Sequence, residues 1–205
     1  METVHMDPSS VIPMTGFDDP VQGSQRVFRQ VLDAMSHPGK IVRIQDLDDA
    51  PQPLNKSTAA ICLSLVDFET PLWADSEIAS NGEAMNYLRF HCGCPVTQDP
   101  MEARTALISD AAPLTGFSRF NPGTDERPEM STTLIVQVNA LTQDGGLTLS
   151  GPGIETTCAL GVDGVSSAFW DAVCANNALF PRGVDLILSA DEHIVCLPRT
   201  TQVEG

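Results

Sequence analysis

Apolar residues recur along the chain at two spacings, one helical and one alternating, and stretches of the two kinds follow one another. Val27, Phe28, Val31, Leu32 and Met35 make one stripe at helical period. Asp19 precedes them as a cap, its carboxylate able to accept from N–H groups that a first turn leaves unpaired. Pro20 falls at the first helical position, where its missing N–H costs nothing, and Gln22 stands at capping-box spacing from Asp19. Pro38 and Gly39 stop this helix, and residues 40–44 follow as a short strand. Residues 57–66 have almost no polar face. That pattern suits a buried helix, with a strand as the alternative for so short a run. Residues 71–74 read as a short strand. Ser80-Asn81-Gly82-Glu83 has capping-box spacing and opens a helix through Met85, Tyr87 and Leu88, stopped by Gly93 and Pro95.

Residues 106–108 predict a further strand. Residues 109–131 are rich in Pro, Gly, Asp and Arg, and are expected to be a long polar loop serving contacts or function rather than core. The clearest strand covers residues 132–141, with Leu134, Val136 and Val138 on one face. Asp144-Gly145-Gly146 reads as a hairpin turn with its return strand at 147–149, and Gly151-Pro152-Gly153-Ile154 ends that strand. A helix over 167–176 carries Phe169, Trp170, Val173 and Cys174. Strands at 184–188 and 193–197 form a second hairpin across residues 189–192. This order predicts one α/β domain over residues 16–205, a mixed sheet with helices on both faces, preceded by an arm of residues 1–15 that has no periodicity.

Composition narrows the function classes. A chain of 205 residues suffices for one sizeable core, and 42% apolar with 19% charged residues is a globular balance. Eleven Lys plus Arg against 27 Asp plus Glu give a net charge of -16. A field of that sign repels nucleic acid, anionic membranes and phosphorylated ligands unless arginines reverse it locally, and it suits docking on a basic partner. No apolar run approaches a membrane span, and the N-terminus lacks a basic region followed by an apolar one, so the cytoplasm is the expected location. The six cysteines lie mostly in apolar settings and are expected as reduced, unpaired thiols.

Candidate chemistry is sparse. His91-Cys92-Gly93-Cys94 groups three soft ligands, but a four-ligand zinc site usually pairs two such knuckles. The nearest other set is Glu192-His193 with Cys196, so no metal is expected. There is no Gly-x-Ser-x-Gly elbow, and residues 149–154 are no P-loop, because Pro152 removes a donor and no Gly-Lys-Ser/Thr follows. Arg199-Thr200-Thr201 offers a guanidinium and hydroxyls to an anion, and Ser131-Thr132-Thr133 offers hydroxyls at the start of a strand. Arg26, Arg29 and Arg182 complete the anion-binding candidates, with Arg199 and Thr200. On the first helix Gln22, Arg26, Arg29 and Asp33 form a polar stripe, read as an ion-pair seam or docking face, with Arg29 and Asp33 spaced to pair. Only two lysines exist, Lys40 and Lys56, and neither has the setting of a Schiff-base lysine. No pyridoxal phosphate or other cofactor is expected.

Several short motifs occur in a fixed order over most of the chain: Gly16-Phe17-x-Asp19-Pro20-Val21 with Gln25 and Phe28-Arg29; Met35-Ser36-x-Pro38-Gly39; Pro128-Glu129-x-Ser131-Thr132-Thr133-Leu134; Leu149-x-Gly151-Pro152-Gly153-Ile154; Asn177-x-x-Phe180-Pro181-x-Gly183-x-Asp185-Leu186; and Leu197-Pro198-Arg199-Thr200-Thr201. In these the chain resembles the PhnH family, the H subunit of bacterial carbon–phosphorus lyase. The resemblance implies a fold similar to a reduced pyridoxal-phosphate-dependent aminotransferase without the cofactor. It also implies an assembly with G, I and J subunits. With the L subunit, G, H and I make a ribose 1-phosphonate 5-triphosphate from ATP and a phosphonate such as methylphosphonate, a transferase reaction. It supplies no catalytic residues. The expected role is therefore a non-catalytic assembly subunit. The alternative is a nucleotide- or phosphonate-binding catalytic subunit with arginine anion clamps. Whether the free chain is a monomer or a homodimer stays open.

Overall fold

Asp19 Oδ1 accepts from the N–H groups of Val21 and Gln22, 3.0 Å each, and so opens helix α1 (Pro20–Ser36) at the expected place. His37 closes the helix by donating its backbone N–H to the Asp33 carbonyl. The computed structural model describes residues 14–205, so residues 1–13 of the expected arm lie outside the described residues. The buried face of α1 is Gly23, Val27, Val31 and Ala34. Phe28 and Leu32, expected in the same stripe, are 50% and 56% exposed, and Val21 is 63% exposed. Spacings of seven and four put these three in line on the solvent side, so the apolar stripe is wider than the core beneath it.

The strand expected over 40–44 reduces to β1 (Val42–Arg43), which pairs antiparallel at the sheet edge. Residues 57–66 resolve as a helix, α2 (Lys56–Leu65), capped by Asn55. After β2 (Leu72–Ala74) comes a short helix that the sequence pattern did not give, α3 (Ser76–Ser80), and then α4 (Gly82–Cys92). The cap of α4 is Asn81 rather than Ser80, because Ser80 already ends α3. Next come β3 (Thr105–Ile108) and β4 (Thr133–Gln137).

The expected hairpin at Asp144-Gly145-Gly146 does not form. Residues on both sides belong to one long strand, β5 (Ala140–Ser150), which pairs antiparallel with β6 (Cys158–Asp163) through a register shift between Thr142 and Leu147. The glycines serve a bulge, not a turn. A Cβ on Gly145 would lie 1.8 Å from the Gly161 nitrogen, so the backbone of β6 occupies the space a side chain needs. The remaining elements are α5 (Ser167–Asn177), β7 (Asp185–Ala190), β8 (His193–Leu197) and β9 (Gln202–Glu204), and β7 and β8 make the second expected hairpin.

The main sheet has the order β1-β8-β7-β4-β3-β2, with β2, β3, β4 and β7 parallel and β8 and β1 antiparallel; β6-β5-β9 is a separate antiparallel sheet. Strand alternation divides the core. Leu107, Ile135, Ile187 and Ile194 pack with α1, α2 and α4, whereas Ala106, Leu134, Val136, Leu186 and Leu188 pack with α5. The sheet is thus mixed, with helices on both faces. The polar loop at 109–131 departs from expectation, because Ala111, Leu114, Phe117 and Phe120 are buried in the second of these layers. Their spacing of three was visible in the sequence beneath the polar composition. Among the described residues no helix is long and apolar enough to cross a membrane.

At the carboxyl ends of β4 and β7 the chain fills its own sheet opening. Gln137 Oε1 accepts from Asn55 N at 2.6 Å, and Gln137 Nε2 donates to the Pro53 carbonyl at 2.8 Å. Ser189 Oγ donates to Asn55 Oδ1 and accepts from the hydroxyls of Ser57 and Thr58, at 2.7 to 2.9 Å. The same Asn55 Oδ1 caps α2 through Thr58 N at 2.8 Å. Asn55→Ala removes the cap and strands buried hydroxyls. It is expected to destabilise the fold by roughly 2–4 kcal/mol in urea unfolding.

Candidate functional site

The opposite, amino ends of the parallel strands hold a second polar cluster, open to a cleft. Thr105, Thr133 and Asp185 stand in register on neighbouring strands β3, β4 and β7. They lie two residues before Leu107, Ile135 and Ile187, so they share the face that carries α2. β8 runs back towards this end, and the chain that leaves it carries Arg199 into the cluster.

Arg199 is bound on every side. Its Nε donates to Asp185 Oδ1 at 3.1 Å, and one terminal nitrogen donates to Asp185 Oδ2 and, at 2.7 Å, to Ser131 Oγ. The other terminal nitrogen donates to the carbonyls of Pro128, at 2.8 Å, and Pro181, at 3.4 Å. A guanidinium has five N–H donors, and these bonds use all of them. Its backbone N–H also donates to Asp185 Oδ1, at 2.9 Å. The side chains of Arg199 and Asp185 are 12% and 25% exposed. This is a fixed strut between segments, with no donor left for a ligand.

Around it lies a cleft of about 440 Å³, lined among others by Leu65, Thr70, Arg104, Thr105, Glu129, Ser131, Thr133, Asp185 and Arg199. The structure therefore brings together Arg199 and the hydroxyls of Ser131 and Thr133, which the sequence offered as separate candidates. Thr200 is not part of the cleft lining. The other candidate arginines lie elsewhere. Arg26 pairs with Asp46 and lines a small acidic hollow with Asp18, Asp48 and Asp49. Arg182 pairs with Asp125 at 3.3 Å. Arg29 is exposed and has no ion pair among the described residues. Its expected partner Asp33 binds Lys40 at 2.7 Å and His37 at 3.1 Å instead, because the chain reverses at Pro38-Gly39 and brings Lys40 back alongside. The Lys40 bond holds the Asp33 carboxyl below its ordinary value.

Other reactive groups are silent. Lys56 is held by Glu192 at 3.2 Å, and that bond raises its pKa and keeps it an ammonium. Burial pushes the Cys92 thiol up to about 12 and raises Cys62 and Cys196 as well, so none is a thiolate nucleophile. His91 Nε2 donates to the Met14 carbonyl at 2.9 Å. Among the described residues no group of three His, Cys, Asp or Glu side chains could hold a metal.

Two cations escaped the sequence reading. Arg104 lies in the cleft, immediately before β3. Arg119 stacks over the Trp73 and Phe120 rings, 4.5 and 5.3 Å from their centroids, beside Asp75 and Glu77 at the carboxyl ends of β2 and β3. The available signal for the first was Arg104-Thr105, a polar pair running into the apolar residues 106–108, which matches Thr132-Thr133 at the start of β4.

The family model described as "Bacterial phosphonate metabolism protein (PhnH)" matches residues 15–204. The chain belongs to the PhnH family. It is 40% identical over 199 residues to the "Alpha-D-ribose 1-methylphosphonate 5-triphosphate synthase subunit PhnH" of Rhizobium meliloti (strain 1021), covering 97% of this chain and 99% of that one. It is 31% identical over 179 residues to the "Putative C-P lyase subunit protein HtxG" of Stutzerimonas stutzeri, covering 87% and 85%.

The PhnH-like motifs, scattered in sequence, meet in space. Pro128 and Ser131, Pro181 and Asp185, and Arg199 converge on one guanidinium, and Asn177 Nδ2 donates to the Arg199 carbonyl at 2.9 Å. The remaining glycine motif meets the end of α1. A Cβ on Gly153, whose φ is +86°, would lie 2.3 Å from the Ser36 carbonyl oxygen. Asp185→Ala leaves a largely buried cation unpaired and is expected to destabilise the chain by about 3 kcal/mol. Arg182→Ala breaks an exposed pair and is expected to cost less than about 1 kcal/mol, which thermal unfolding compares with Asp185→Ala.

Proposed function

We propose that this chain is the H-type subunit of a ribose 1-methylphosphonate 5-triphosphate synthase in phosphonate catabolism, and that it serves assembly rather than carrying an active site. The observation that carries this reading is the near end-to-end likeness to a relative named as that subunit. The geometry supports the non-catalytic part. Arg26, Arg182 and Arg199 are each occupied by a carboxylate of the chain itself, both lysines are ion-paired, and burial holds the Cys62, Cys92 and Cys196 thiols protonated.

In this proposal residues 16–205 act as one domain in the cytoplasm and bind G, I and J subunits, and the free chain can form a homodimer. The fold is related to a reduced pyridoxal-phosphate-dependent aminotransferase. The largely parallel mixed sheet with helices on both faces is consistent with that relation. The docking face is the outer side of α1, where Val21, Phe28 and Leu32 expose an apolar line beside Arg29.

Co-expression with the neighbouring G, I and J subunits tests the reading. A tagged chain is expected to retain all three through gel filtration. Phe28→Asp with Leu32→Asp is expected to abolish retention while leaving the melting temperature within a few degrees, since both side chains already face water. A chain that purifies alone in every combination contradicts the proposal.

A further inference from the structure

The cleft at the amino ends of β3 and β4 has an excess of unused hydrogen-bond donors. Arg104 donates from one terminal nitrogen to the Glu129 carbonyl at 3.0 Å and from the other to the Met130 sulfur at 3.1 Å. A thioether is a weak acceptor, and a guanidinium has five donors. Three Arg104 N–H groups therefore lack an acceptor among the described residues, and no carboxylate pairs with this cation. The hydroxyls of Thr105 and Thr133 have no partner among the described residues. Ser131 Oγ accepts from Arg199, which leaves its own proton to donate. The one carboxylate in the floor, Asp185, is neutralised by Arg199. That of Glu129 turns outwards to Arg127, at 3.6 Å, and is 66% exposed.

This is an uncompensated cation beside three hydroxyls that each keep a proton to donate, Ser131 already accepting from Arg199, in a chain of net charge -16. Among the described residues nothing uses those donors. The donors also come from three separate segments that line one cleft: the start of β3, the start of β4, and the residue after the turn at Pro128–Met130. A planar carboxylate takes a guanidinium fork in one plane. Donors arranged around a hollow suit a tetrahedral oxyanion. From this we infer that the cleft is a binding site for the phosphate or phosphonate group of a small ligand, with Arg104 supplying the charge and Ser131, Thr105 and Thr133 the neutral donors. A cleft of about 440 Å³ exceeds one such group, so the ligand carries an organic substituent, which lies against Leu65 and Ile135. Arg199 does not touch the ligand. It fixes Ser131 and cancels Asp185.

The inference does not rest on assembly, because the isolated chain contains every group named. The test is titration of the full chain with inorganic phosphate and, separately, with acetate, at constant ionic strength, read by calorimetry and by backbone amide shifts in NMR. Phosphate is expected to bind saturably and to move the amides of Thr105, Ser131 and Thr133, with acetate at least tenfold weaker on the order of one lost charged hydrogen bond. Arg104→Ala is expected to weaken phosphate about tenfold or more, with circular dichroism unchanged. If that variant does not fold, Thr133→Val is expected to weaken phosphate severalfold. Absence of saturable binding overturns the inference, as does affinity unchanged in the variants. Acetate binding as tightly as phosphate also overturns it, and makes the cleft a seat for a carboxylate.

Discussion

The fold depends on one largely buried ion pair in which every guanidinium donor is used. Asp185 opens β7 and Arg199 lies in the segment that leaves β8, and the guanidinium also holds the loops at Pro128, Ser131 and Pro181. Those loops are where a β-rich chain with many prolines would otherwise be least constrained. An ion pair out of water is costly unless every donor finds an acceptor, and this one meets the condition. Three of the motifs that carry the family likeness meet there, and within them Asp185 and Ser131 are the side chains whose loss leaves an Arg199 donor without its partner.

Placing the strut at the amino ends of the parallel strands has a consequence for function. In open α/β sheets ligands usually sit outside the carboxyl ends. Here the carboxyl ends of β4 and β7 are filled by Asn55, Ser57, Thr58, Gln137 and Ser189, bonded among themselves. The cap of α2 belongs to that network, so the helix N-terminus has its own chain as partner rather than an anion. Open on that side is the Arg119 hollow near β2 and β3, lined by three acids, Asp75, Glu77 and Asp110. The donor-rich cleft lies at the other end of the sheet, supported from below by the Arg199 strut.

Much of this was legible in the sequence, for identifiable reasons. The α1 cap, the buried α2, the β7–β8 hairpin and the alternating faces of β4 follow from local signals that tertiary contacts did not override. The Asp144-Gly145-Gly146 turn failed because glycine marks a close backbone approach as readily as a reversal, and the approaching strand, β6, is itself weakly patterned. The loop at 109–131 hid Leu114, Phe117 and Phe120 under a polar average. At the site, Arg199 and Ser131 were visible as residue types, but their mutual bond spans 68 residues and no spacing rule reaches that far. Arg199 accordingly changes from a clamp to a strut, and Arg104 takes the position facing the open cleft.

The central claim is that Arg199 is committed to Asp185 and its neighbours. A double-mutant cycle on Arg199→Met and Asp185→Leu, read by urea unfolding, measures it directly. The double substitution is predicted to cost less than the sum of the two single ones, with a coupling energy above about 1 kcal/mol. Additive effects, with coupling near zero, would contradict it and return Arg199 to the list of groups free to bind an anion.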